Sequence, residues 1–206
     1  YNYVDGNPSY SFQGGDAIYE DVNHDGQINA LDVVYLGNCL PKLSGGFNIS
    51  FDYGRWNLKA RFMYRYGNKV INQARMTLES MSTAYNQASS VNWRWRKDGD
   101  ETLMPRAIYV YNDNSAYNYQ GSSRYVEDGS FLRFQNLQVG YNFDPKELKK
   151  YGLNRLQFYV TANNLFCWTR YSGVDPEISI GGWGQAIDKS QTPRAKSFTA
   201  NINIGF

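Results

Sequence analysis

Histidine is nearly absent from this chain and cysteine is scarce: His24 stands alone, and Cys39 and Cys167 are the two thiols among 206 residues. An imidazole-based catalytic site would have one possible donor, set in a polar stretch. The two cysteines could pair in an oxidising compartment or stay free, and spacing alone does not choose. There is no run of 18 apolar residues, which excludes a transmembrane helix. It does not exclude membrane strands, whose side chains alternate between lipid and lumen and keep the mean hydropathy low; here it is −0.60. Neither sign of charge dominates. A net charge of +2 does not point to nucleic acid as a partner. No basic, apolar leader opens the chain, and Tyr1-Asn2-Tyr3-Val4 reads as the interior of a longer polypeptide.

Aromatic residues, by contrast, are abundant: eighteen Tyr, eleven Phe and five Trp, as in β-rich proteins and aromatic-girdled barrels. Period-two alternation marks five strands. In 47–53, Phe47, Ile49, Phe51 and Tyr53 share a face opposite Asn48, Ser50 and Asp52. After a tight turn at Gly54-Arg55-Trp56, Leu58, Ala60, Phe62, Tyr64 and Tyr66 alternate with Asn57, Lys59, Arg61, Met63 and Arg65. A third strand covers 130–143, and its change of phase near Gln135-Asn136 predicts a β-bulge. A fourth runs from about Arg155 to Leu165. The fifth ends the chain, with Phe198, Ala200, Ile202, Ile204 and Phe206 alternating with polar or small residues. Asp144-Pro145 through Gly152 spells a capped helical turn, and 70–85 has room for a short helix.

The connections run short, long, short, long, with long stretches at about 68–129 and 167–192. Outer-membrane barrels pair short periplasmic turns with long outer loops, which predicts an antiparallel transmembrane β-barrel wall over 44–206. Residues 1–43 are then an extracellular loop, and Phe206 lies at the periplasmic rim. Phe47, Ile49, Phe51, Leu58, Ala60, Phe62, Phe158, Val160, Ile202 and Ile204 are expected to face lipid. Tyr53, Trp56, Tyr64, Tyr66 and Tyr141 would anchor at its interfaces. Five strands cannot close a barrel, and a free edge in lipid costs several kcal/mol per unsatisfied group. The chain is therefore expected to continue, or to join another that carries the remaining strands. The alternative is a secreted, calcium-stabilised β-sandwich module for carbohydrate binding or adhesion.

One local motif is specific. Residues 21–32, Asp-Val-Asn-His-Asp-Gly-Gln-Ile-Asn-Ala-Leu-Asp, place oxygen donors at positions 1, 3, 5 and 12 of a calcium loop, with Gly at 6. The expected Ca²⁺ ligands are Asp21, Asn23, Asp25, the Gln27 carbonyl and Asp32, with Asn29 direct or through water. Ile28 is the apolar anchor. The donor set is hard oxygen, which favours Ca²⁺ over zinc. A hydrogen-bonded Asx turn of the same shape is the competing reading.

Trp93-Arg94-Trp95-Arg96 could stack sugar rings, although packing of the Trp pair on its neighbours explains the segment as well. Arg61 and Arg65 project from the polar face of the second strand. They could line a substrate path, or pair with carboxylates of a plug. Asp175 and Glu177 are expected to point apart, or along one edge, because Pro176 separates them in an extended loop. No nucleophile stands beside a base, so the chain is not read as an enzyme.

Several segments together resemble the SusC/RagA family of TonB-dependent transporters. They are 15–28 with its Asp21-Val22-Asn23-His24-Asp25-Gly26 core, then Gly37-Asn38, Pro41-Lys42, Gly45-Gly46-Phe47 and Gly67-Asn68-Lys69-Val70. Arg124 to Arg133, Asn163-Asn164-Leu165-Phe166, Tyr171 to Glu177 and the terminal Phe206 complete the set. The resemblance implies that the chain is the C-terminal part of a 22-stranded outer-membrane barrel of a Gram-negative bacterium. It implies an N-terminal plug, absent from this chain, and energy from the TonB complex. It further implies a SusD-like surface lipoprotein partner and oligosaccharide or peptide cargo. Phe206 then resembles the barrel-assembly signal. Cys39, Cys167 and His24 depart from the family's usual residues.

Overall fold

The computed structural model describes residues 2–3, 10–109, 117–180 and 186–206. Parts of the N-terminal segment (4–9) and of both long connections (110–116 and 181–185) lie outside the described residues. The chain forms two compact units, one of residues 1–37, 71–127 and 187–190, the other of residues 38–70, 128–186 and 191–206.

The second unit is built on one five-stranded antiparallel sheet whose spatial order follows the sequence: β1 (Leu43–Tyr53), β2 (Trp56–Tyr66), β3 (Phe131–Asn142), β4 (Arg155–Thr169) and β5 (Ser197–Gly205). The turn between β1 and β2 is the pair Gly54-Arg55, with positive φ at Gly54 alone, as a two-residue hairpin loop with glycine first requires. Between β3 and β4, Asp144 caps the turn Pro145–Leu148 by accepting the Lys146 amide at 2.8 Å, and Gly152 closes it at φ 71°.

The register makes one face apolar across all five strands. Ile49 opposes Ala60, which opposes Leu137, then Ala162, then Phe198. Phe51, Leu58, Val139, Val160 and Ala200 form the next row. Phe47, Phe62 and Phe134 stack as three successive rings, with centroids 4.9 and 4.6 Å apart; each such pair adds about 0.5–1.5 kcal/mol beyond its buried area. No second layer among the described residues covers the face: Phe51 is 62% and Ile202 66% exposed. The short Ala60 and Ala162 are the buried exceptions, each set between larger cross-strand neighbours. A sandwich would have sealed these side chains into a core.

The bulge lies where the change of phase placed it, with register shifts at Arg61/Phe62 and at Phe134/Asn136. It has a counterpart on β4, where Asn164 adopts φ 53°. Across it Asn163 and Phe166 stand opposite Asn136 and Phe134, so Phe166 and Trp168 keep the apolar-face phase of Phe158 and Val160 and stack at 5.9 Å. β4 therefore reaches Thr169, beyond the Leu165 end expected from the sequence and into the stretch read as loop from about 167. Polar Asn164 at an apolar-phase position interrupts the run of apolar side chains, and this hides the strand's continuation from a simple alternation test.

In the first unit, the segments expected to be loops fold together. α1 (Gln73–Glu79) is capped by the Asn72 side chain accepting from the Arg75 amide at 2.9 Å. Met81, Val91, Met104 and Tyr119 form a small core. Asn2–Tyr3 pairs antiparallel with Tyr10–Ser11 and parallel with Gln27–Ile28. Polar clamps hold distant segments together. Glu79, almost fully buried, takes Arg75 at 3.1 Å and Arg124 at 3.2 Å. Asp16 takes Arg106 at 2.6 Å, the Tyr10 hydroxyl at 2.8 Å and the Asn118 amide at 3.2 Å. Such contacts have no sequence period, which is why 68–129 reads as unstructured.

Candidate functional site

The polar face of the sheet is the most extensive candidate. Its rows repeat the register of the apolar face, one residue out of step. Ser50, Lys59, Gln138, Thr161 and Thr199 form one row, and Asn48, Arg61, Asn136, Asn163 and Ser197 the next. Strand alternation puts every one of these side chains opposite the apolar face. Arg61 Nε donates to Asn48 Oδ1 at 3.0 Å, and Asn136 Nδ2 to Asn163 Oδ1 at 2.7 Å. Lys59, Arg61, Asn48, Gln135, Asn136 and Gln138 line an open groove.

Arg65, four residues along the same strand, has a different environment. Its Nη1 donates to the Ile178 carbonyl at 3.2 Å, and its guanidinium lies 5.7 Å from the Phe131 ring centre. Arg133, 4% exposed, sits 5.6 Å from the same ring. Its Nη2 bonds Asp175 Oδ1 at 2.5 Å and its Nε lies 3.4 Å from Glu177 Oε2. Arg194 Nη2 completes the cluster on Glu177 Oε1 at 2.6 Å. Asp175 and Glu177 therefore converge on one guanidinium; of the two arrangements expected around Pro176, pointing apart or along one edge, the first is excluded. Asp175 Oδ1 also accepts the Glu177 amide at 2.9 Å, which folds the segment back on itself. Arg65 and Arg133 thus hold the 171–178 segment, while Arg61 stays on the open groove. The cue missed in the sequence was an arginine at a polar-face position of a strand, together with an Asp-Pro-Glu that could supply its counter-charges.

In the first unit, the 21–32 loop is closed by its own side chains. Asp21 accepts the Asp25 and Gly26 amides at 3.2 and 2.8 Å, Asn23 accepts the Asp25 amide at 3.1 Å, and Asp25 accepts the Gln27 amide at 2.8 Å. Asp32 reaches back to the Val22 amide at 2.9 Å and the Asn29 amide at 2.8 Å. The Asn29 amide bond is the main cause that holds the Asp32 carboxyl below its usual range, against a smaller opposing effect of burial and with help from the Val22 and Asn23 amides. Gly26 and His24 take φ 81° and 59°, so the unusual histidine stands at a left-handed position. Ile28 is buried. Among the described residues no three His, Cys, Asp or Glu side chains form a metal cluster.

Trp93 and Trp95 do not make a paired platform. Trp93 is 79% exposed, while the Trp95 ring packs so closely on Gly15 that a Cβ there would meet it at 2.2 Å. Arg94 and Arg96 donate to the Val91 and Asn92 carbonyls at 3.3 and 3.0 Å. Cys39 and Cys167 are not joined in a disulfide. Phe206 follows β5 and is 88% exposed. β5 pairs with β4 along its whole length, and its other edge has no partner among the described residues.

No protein-family profile matches the chain. In sequence it is 32% identical over 202 residues to TonB-dependent receptor P39 of Formosa agariphila, a match covering 94% of this chain and 19% of that receptor. It is 31% identical over 86 residues to TonB-dependent receptor SusC of Bacteroides thetaiotaomicron, 41% of this chain and 8% of the receptor. In structure it matches a chain of the RagAB peptide importer in its closed-closed state with a TM-score of 0.70 and 26% identity, over 84% of this chain and 18% of that one. The chain thus spans about one fifth of the length of the relative it matches over most of its own length. The resemblance read from the sequence holds: the chain is a homologue of part of the SusC/RagA-type TonB-dependent receptors.

Proposed function

We propose that this homologue of SusC/RagA-type receptors is the C-terminal wall of an outer-membrane nutrient transporter, its apolar face against lipid and its polar face lining the lumen. The carrying observation is the in-register separation of apolar and polar side chains across five antiparallel strands. Dimensions support it: the eleven residues of β1 at about 3.4 Å each, tilted about 45°, rise about 26 Å, close to the apolar band of outer-membrane barrels. Tyr53, Trp56 and Tyr141 gather at the short-turn end, and Tyr64 and Tyr66 toward the other, as two interfacial girdles would. Remaining strands of the barrel would pair with the outer edges of β1 and β5, since lipid offers backbone groups no hydrogen bonds.

In this reading the transporter draws energy from the TonB complex through a plug outside this chain. It works with a SusD-like surface lipoprotein and imports oligosaccharides or peptides. The link to a RagAB peptide importer supports the peptide option, and the SusC relative supports the lipoprotein partner. The 21–32 loop is read as a structural Ca²⁺ site held by Asp21, Asn23, Asp25, Asp32 and the Gln27 carbonyl. Its support is the all-oxygen donor set and the return of Asp32 to the loop's start. A carboxylate oxygen that accepts one amide keeps a lone pair for a hard cation.

A carbene reagent dissolved in the bilayer tests the orientation in the full-length receptor. Mass spectrometry is expected to find label on Phe47, Ile49, Phe158 and Ile202 and none on Asn48, Ser50 or Asn201. Label on both faces, or on the polar face alone, would overturn the proposal.

A further inference from the structure

On the polar face of the sheet, Lys59 and Arg61 differ from the other basic residues near them. Arg133 and Arg194 are neutralised by Asp175 and Glu177, and Arg65 is engaged by the Ile178 carbonyl and the Phe131 ring. Lys59 and Arg61 are both exposed, and neither forms a salt bridge among the described residues. They stand two residues apart on β2, so both project from the same face. Their cross-strand neighbours are neutral hydrogen-bonding groups: Ser50 and Gln138 beside Lys59, Asn48 and Asn136 beside Arg61. The nearest acid on this face, Asp52, opposes Asn57 and is only diagonal to Lys59, a separation of about 7–8 Å in a sheet.

We infer that the groove of Lys59, Arg61, Asn48, Gln135, Asn136 and Gln138 is a recognition strip for an acidic oligosaccharide. Two fixed cations in a groove without an acid of its own select a ligand that carries negative charge. The carboxamides can each donate and accept, which suits hydroxyl groups that do the same. Arg61 offers a planar fork for a carboxylate or sulfate oxygen pair, and Lys59 a point charge for the next anionic unit. Neutral sugar would meet the amides and leave both cations unmatched. A peptide, with few hydroxyls, would use the cations and leave much of the amide surface unmatched.

The inference rests on the reading that this face lines a lumen, and the experiment keeps the two separable. Purified full-length receptor is titrated with oligogalacturonate, with a neutral cello-oligosaccharide of equal length and with an oligo-glutamate peptide. This is done for the native protein, for Lys59→Gln with Arg61→Gln, and for the charge-conserving Lys59→Arg with Arg61→Lys. Heat-modifiable migration in gels reports barrel integrity in each case. The expected result is that the native receptor prefers oligogalacturonate, and that the neutralised variant binds it at least about tenfold more weakly, the equivalent of about 1.4 kcal/mol. Binding of the neutral sugar stays unchanged, and the charge-conserving variant keeps most of the affinity. The preference is expected to weaken with added salt. Equal affinities in native and neutralised receptor, with the barrel intact, would overturn the acidic strip and leave the lumen reading standing. So would a charge-dependent preference for the peptide, or a loss of barrel stability with ligand affinity unchanged, which would assign the cations to a contact within the receptor. Failure of the native receptor to show a heat-modifiable barrel would overturn the lumen reading, and the strip with it.

Discussion

Arg133 and Asp175, 42 positions apart in the chain, meet as a nearly buried pair with Nη2 and Oδ1 2.5 Å apart. Glu177 shares the guanidinium and Arg194 shares Glu177, so two acids and two bases hold the Asp175–Glu177 segment and Arg194 to the strand that carries Arg133. Removing one partner of a buried pair leaves an uncompensated charge, which typically costs about 3–5 kcal/mol. Asp175→Asn is therefore expected to loosen this segment by about that much, without unpairing β3 from β4. Limited proteolysis of the full-length receptor should show faster cleavage in 171–194, and an unchanged rate would refute the role.

Acid should act on the first unit through Asp16. Burial pushes this carboxyl up, but hydrogen bonds from Arg106, the Gln13 amide, Tyr10 and Asn118 outweigh it and hold its pKa below the ordinary 3.8. A carboxyl depressed in the folded state contributes stability that is fully present above its unfolded value and is lost as pH falls through its folded value. The clamp is thus expected to hold at neutral pH and to open below about pH 3.8. Hydrogen exchange at the Gln13 and Ala17 amides should accelerate there. Asp16→Asn should raise exchange at neutral pH and flatten its acid dependence. A native pH profile that is already flat would exclude the clamp.

The two faces of the sheet should tolerate charge differently. Ile202→Arg puts a cation on the apolar face and is expected to cost about 2–4 kcal/mol if it lies near the bilayer midplane. Asn201→Arg, one residue away on the polar face, should cost far less. The measurement is the fraction of receptor that migrates as a folded barrel in unheated gels. Equal losses would mean that the faces are not distinguished by lipid.

Calcium should bind the 21–32 loop of the intact receptor with the modest affinity of extracellular sites, a Kd on the order of 10⁻⁴–10⁻³ M or tighter. Calorimetry is expected to show one site, lost in Asp25→Ala. Absence of heat with the native receptor would leave the loop as a self-closed Asx turn.

Phe206 stands at the end of β5 with its side chain free. Its deletion is expected to lower the amount of assembled barrel severalfold while leaving uptake per assembled barrel nearly constant. Normal assembly with weakened cargo binding would make Phe206 a ligand contact instead.

The sequence by itself determined the strands, because burial against one medium imposes period two on side chains. Phe47 to Tyr53 and Phe198 to Ile204 show that period directly. The bulge at Gln135 appeared as a break in it, and the capped turn at Asp144-Pro145 came from local hydrogen bonding. Each of these depends on residues within a few positions of one another. Tertiary structure alone decided what the long connections do. Whether Asp175 and Glu177 part or converge depends on Arg133, far away in the chain. The union of 10–37 with 71–109 depends on clamps such as Asp16 with Arg106, which leave no period to read. The division among the arginines was decided the same way. Arg61 and Arg65 are equivalent by alternation, and only the placement of Ile178 and Phe131 engages one and leaves the other on an open groove.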